Sequence, residues 1–123
     1  MKCLKIEPGK TPETIDIDPT LETLQNLVDG YIECYYPFED DVCIICNEEG
    51  KILGLPLNRA LYNEKGEIYD IIAGTFLVVA FNEDTFADLT DAQIETYTHL
   101  YRYPEIFMSI DGRITALPVE ETV

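Results

Sequence analysis

Basic side chains are scarce in this 123-residue chain, where eight Lys and Arg stand against twenty-four Asp and Glu for a formal charge of −16. Nonspecific affinity for nucleic acid comes from cations that neutralise phosphates, so no direct nucleic-acid binding is expected. An acidic chain of this kind is instead drawn to basic surfaces. Two readings of the charge follow: a solubilising surface, or a mimic of DNA that occupies the basic groove of a host protein. The acids form short groups such as Glu39–Asp41 and Glu48–Glu49 without regular spacing, which favours solubility.

Long apolar runs are also missing. The longest, Gly74 to Phe81, is far short of the roughly 20 residues a spanning helix needs, so no membrane association is expected. Met1–Lys10 carries charges every few residues and lacks the apolar stretch of a secretory leader. The expectation is a cytoplasmic protein whose four cysteines are reduced. No phosphate-binding glycine loop, dinucleotide fingerprint, Gly-x-Ser-x-Gly elbow or His-Glu-x-x-His pair occurs, so catalysis is the least supported class and no cofactor is expected. Repeats, linkers and low-complexity segments are lacking as well.

Hydrophobic residues nevertheless make up 46% of the chain, too many for a disordered acidic tail. The length suits one domain, placed at residues 1–108 with a C-terminal extension at 109–123. CLKIEP and ETIDID alternate in the manner of strands around a Pro-Gly-Lys-Thr-Pro turn, predicting an opening hairpin. Asp18 is expected to cap a helix with Pro19 at its first position, Leu21, Leu24, Leu27 and Val28 forming one stripe that ends at Gly30. This hairpin and helix resemble the start of a β-grasp fold in topology. YIECYYPF, VCIICNE and KILGLPL read as further strands, and IYDIIAGTFLVVAF as one long central strand interrupted at Gly74. Thr90 with Gln93 makes a capping box for a second helix that presents Ile94, Tyr97 and Tyr101 to the core before Pro104. The fold class expected is α+β, a mainly antiparallel sheet carrying two helices.

Four constellations bear on chemistry. Cys43-Ile-Ile-Cys46 has the spacing of a metal knuckle, but residues three apart in a strand point to opposite faces, so core packing is favoured and no metal site is expected. His99 has Glu95 one turn before it as an orienting carboxylate, yet no matching nucleophile motif, and edge packing is favoured. The grouped tyrosines, Tyr31, Tyr35 and Tyr36 with Tyr97, Tyr101 and Tyr103, suit either the core or a stacking or dimer face. The strongest constellation is Gly54-Leu-Pro-Leu-Asn58-Arg59 with Asp70, Gly74 and Thr75. A planar guanidinium holds phosphate or carboxylate in bidentate fashion, and Asn58 offers a donor and an acceptor. The competing reading is a loop clamped by an Arg59–Asp70 pair. If the ligand reading holds, Arg59→Ala is expected to abolish binding and leave folding intact.

The stretch around these residues resembles a family of short bacterial and phage proteins described as domain of unknown function 3846. The resemblance is carried by the segment Met1–Gly9, by GLPLNRAL at Gly54–Leu61, by DIIAGTF at Asp70–Phe76 and by YTHLYRYPEIF downstream, and it covers most of residues 1–107. It implies an origin on phages, plasmids or other mobile elements. The expectation is therefore a non-enzymatic accessory protein that binds a small anionic, nucleotide-like ligand through Asn58, Arg59, Asp70, Gly74 and Thr75 to counter host defence. The alternatives are an acidic inhibitor of a basic, nucleic-acid-binding host protein and a homodimeric structural or regulatory protein.

Overall fold

Val42–Asn47 and Phe76–Phe81 are apolar at nearly every position, a pattern that suits strands covered on both faces. In the computed structural model, which describes residues 1–120, they are adjacent strands at the centre of a six-stranded sheet. In chain order the elements are β1 (Lys2–Ile6), β2 (Glu13–Asp16), α1 (Leu21–Val28), β3 (Ile32–Tyr35), β4 (Val42–Asn47), β5 (Leu57–Tyr62), β6 (Ile68–Ala73), β7 (Phe76–Phe81), β8 (Phe86–Ala87), α2 (Asp91–Leu100), β9 (Glu105–Ile110) and β10 (Arg113–Pro118). The main sheet runs β2-β1-β7-β4-β3, with β8 also on β7, and every pair is antiparallel. Two further antiparallel hairpins, β5–β6 and β9–β10, stand outside it. The class is α+β as expected, with the opening hairpin and helix in place.

The alternation of side chains divides the core in two. Cys3, Cys43, Ile45, Leu77 and Val79 meet Leu24 and Val28 of α1 on one face. Leu4, Ile6, Val42, Ile44, Phe76 and Val78 meet Leu61, Ile72, Tyr97 and Tyr101 on the other, beneath β5–β6 and α2. Each fully buried Leu, Ile or Phe contributes about 1.5–3 kcal/mol, and these two layers are what hold the sheet between its covers. The cysteines of the C-x-x-C fall into opposite layers, Cys43 under α1 and Cys46 under β5–β6, and all four cysteines are free thiols.

Both helices start on threonine. Thr90 accepts from Gln93 N while the Gln93 side chain accepts from Thr90 N, the expected reciprocal box. Helix α1 begins two residues later than Asp18 and Pro19 suggested, because the Thr20 hydroxyl accepts from Thr23 N. Its far end is closed by buried Asn47, whose amide donates to the carbonyls of Val28 and Asp29 at 3.0 and 3.1 Å. Leu21 is 57% exposed and takes no part in the core.

Three segments differ from the sequence expectation. KILGLPL is not a strand before Leu57, where β5 begins: it turns back on itself through Leu53 N to Glu49 O and Leu55 N to Gly50 O, leaving Ile52 85% exposed. IYDIIAGTFLVVAF is two strands in two sheets, since Gly74 adopts φ 82° and turns the chain from β6 into β7. The positive φ favours glycine there, and a Cβ would lie 2.8 Å from Leu55 Cδ1 and push that side chain aside. The chain from Glu105 to Pro118 forms a hairpin around Asp111 and Gly112, both with positive φ. Strand β9 thus runs through residues 108 and 109 into the C-terminal extension, of which residues 121–123 lie outside the described residues. No helix of the described chain is long and apolar enough to cross a membrane.

Candidate functional site

Asn58 and Arg59 do not sit in a loop. They are the second and third residues of β5, 0% and 1% exposed. The Asn58 amide donates to Ile6 O at 2.9 Å and to Gly74 O at 2.8 Å, which ties β5 to the end of β1 and to the joint between β6 and β7. Its Oδ1 accepts from Arg59 Nη1 at 2.8 Å. Arg59 Nη2 then donates to Lys10 O at 2.7 Å and Tyr101 O at 2.9 Å. One guanidinium therefore joins β5 to the β1–β2 turn and to the end of α2. Such a clamp makes Arg59→Ala a folding variant rather than the clean binding variant expected of an exposed loop arginine.

The clamp is incomplete. No carboxylate lies within 4.0 Å of the Arg59 guanidinium among the described residues. Arg59 Nε is also the one buried side-chain nitrogen or oxygen among them without a hydrogen-bond partner. Burial pulls the guanidinium pKa below its ordinary value, partly offset by the field of Glu105. Glu105 itself is engaged elsewhere, its Oε1 accepting from Ala60 N at 2.8 Å and its Oε2 from the Tyr62 hydroxyl at 3.2 Å.

Arg59 lines a cavity of about 300 Å³ whose wall includes Phe38, Tyr62, Tyr69, Tyr101, Tyr103 and Glu105. Tyr103 is held by the Arg102 guanidinium 4.5 Å above its ring centre. Tyr101 is packed edge-on against Phe76. Burial raises the hydroxyl pKa of Tyr101 and of Tyr62, the latter with Glu105 adding to it. These hydroxyls stay protonated at neutral pH and donate or accept hydrogen bonds rather than take protons. The arrangement sets aromatic rings and a buried cation along the wall of one cavity.

The other expected site residues are not brought to that cavity. Asp70 pairs with Lys51 rather than Arg59. Burial would raise its carboxyl, but the Lys51 ammonium and the Ile71 N–H at 2.8 Å outweigh it and hold the pKa below the usual value. With Lys51, Tyr62 and Tyr69 it borders a separate open groove of about 870 Å³ between β6 and β10. Gly74 serves through its carbonyl and its φ, and Thr75 is half-buried next to it. His99 is exposed on α2. No group of three or more His, Cys, Asp or Glu is placed to hold a metal among the described residues.

Tyr62, Tyr69 and Glu105 escaped the sequence reading. The available signal was the Tyr-Pro-Glu run at residues 103–105, which places a carboxylate directly after a helix stop. A family model described as Domain of unknown function (DUF3846) matches residues 1–102. No curated protein and no solved structure matches the chain.

Proposed function

We propose that this chain, which belongs to the family described as Domain of unknown function (DUF3846), is a non-enzymatic accessory protein that holds a small planar anion of nucleotide type beside Arg59. The observation that carries this reading is the buried guanidinium with no carboxylate within 4.0 Å and an unpartnered Nε, in a residue that lines a tyrosine-walled cavity. An uncompensated buried charge costs several kcal/mol. An anion in the cavity offsets that cost, and the aromatic walls give a base or similar ring a stacking surface. A volume of about 300 Å³ lies at the lower end of small-molecule sites and suits a ligand no larger than a mononucleotide.

The family resemblance supplies the setting: a protein of a phage or other mobile element that sequesters a nucleotide signal used by host defence. Native mass spectrometry of the protein purified from a bacterial lysate tests the reading. The wild type should carry a small phosphorylated species that denaturation releases. Tyr69→Ala should lose it without unfolding, because that ring is 55% exposed. A wild type that releases nothing, and whose melting temperature mononucleotides do not raise, removes the proposal. A basic protein captured in a salt-sensitive way would replace it with the reading of an acidic inhibitor.

A further inference from the structure

The β9–β10 hairpin is unlike the rest of the molecule in both exposure and charge. Ile106, Met108, Ile110, Ile114 and Leu117 are between 43% and 56% exposed, so both faces of the ribbon keep exposed apolar side chains, although Phe107 and Ala116 are half-buried. An uncovered two-stranded ribbon is marginal in water, and a cluster of exposed apolar side chains marks a contact surface. From Ile106 to Pro118 the only charged residues are Asp111 and Arg113, which cancel, in a chain of formal charge −16. A basic partner finds no excess acid here. A second copy of the chain, repelled by the acidic remainder of the surface, meets no net charge on this ribbon.

The backbone specifies how two copies fit. Among the described residues strand β10 pairs with β9 alone, and the groove of about 870 Å³ separates it from β6. Val119 N donates to Pro104 O at 2.7 Å, one step beyond the Pro118–Glu105 pair. By antiparallel alternation, the polar groups of Arg113, Thr115 and Leu117 then face β9, and those of Ile114, Ala116 and Pro118 face outward. Pro118, with no N–H to give, occupies an outward position. Self-pairing with Ile114 of one copy opposite Ala116 of the other forms two N–H···O bonds at each of two symmetric pairs and asks for no donor from Pro118.

We propose that the outer edge of β10 pairs with the same edge of a second copy, closing a two-fold, four-stranded antiparallel sheet. Light scattering on the full chain tests this. The wild type should have twice the 14.0 kDa chain mass, and raising salt should strengthen the dimer by screening the repulsion between the copies. Ala116→Pro removes an outward N–H that β9 does not use, and should give a 14.0 kDa monomer with an unchanged melting curve. Should that proline unfold the hairpin, Ile114→Lys on the exposed face provides the second variant, also expected to be monomeric. A wild type that is monomeric at its highest soluble concentration overturns the proposal, as does a dimer that survives both substitutions or dissociates as salt is raised.

Discussion

Replacing Arg59 with methionine keeps the aliphatic stem and removes the guanidinium, which isolates the contribution of the clamp. Three closely held acceptors lose their donor, Asn58 Oδ1, Lys10 O and Tyr101 O at 2.8, 2.7 and 2.9 Å, along with the longer 3.4 Å bond to Asn58 O. Each buried acceptor left unpaired costs about 1–3 kcal/mol. Removing an uncompensated buried cation restores part of this, so the lower end applies to each acceptor and the net loss is about 3 kcal/mol. For a domain of this size the total stability is about 6–18 kcal/mol, and the loss corresponds to a fall of roughly 10 °C in Tm. Urea unfolding followed by circular dichroism reads this as a lower midpoint at unchanged slope. The control is Arg102→Met, whose exposed guanidinium meets, among the described residues, only His99 O and the Tyr103 ring, and which should stay within about 0.5 kcal/mol of wild type. A loss below about 1 kcal/mol for Arg59→Met would refute the clamp, since the three carbonyl oxygens would then have to be satisfied by water.

Glu105→Ala should release the C-terminal hairpin, because Glu105 joins it to Ala60 N and the Tyr62 hydroxyl; the expected loss is about 1.5–3 kcal/mol, with faster amide exchange throughout β9 and β10, and unchanged exchange there would contradict the anchoring role. The four thiols should differ sharply in reactivity. Half-buried Cys34 is held below the ordinary thiol pKa by Cys43 and Tyr36 beside it, whereas burial pushes Cys3 up to about 11 and Cys46 up to about 12. A lowered pKa means more thiolate near neutral pH, so iodoacetamide should label Cys34 first in the native protein and all four in urea. Preferential labelling of buried Cys3 or Cys46 would show that the layers are arranged differently.

Much of the fold was legible because its determinants are local. A capping box spans Thr90 to Gln93, and a strand covered on both faces shows as an uninterrupted apolar run in VCIIC and FLVVAF. The opposite orientations of Cys43 and Cys46 follow from strand geometry alone. The Asp111-Gly112 pair carries a hairpin signal of the same local kind, and there the reading missed what the residues offer. KILGLPL misled because apolar composition suggests a strand, while the chain turns beside Gly50, where a Cβ would lie 2.7 Å from the Ala73 carbonyl oxygen.

By itself, the sequence determined the class of fold, the two helices, the capping box of α2, the opposite orientations of Cys43 and Cys46, and the family. Only the tertiary structure decided the role of Asn58 and Arg59, because their partners Ile6, Lys10 and Tyr101 lie 52, 49 and 42 residues away along the chain. It decided likewise that Asp70 answers Lys51 and not Arg59, and that the chain changes sheets at Gly74. Residue type limits which bonds a side chain can form. Which of them it forms depends on the carbonyls and carboxylates that packing brings within about 3 Å, and a buried guanidinium, with five donors, takes the acceptors that the fold supplies.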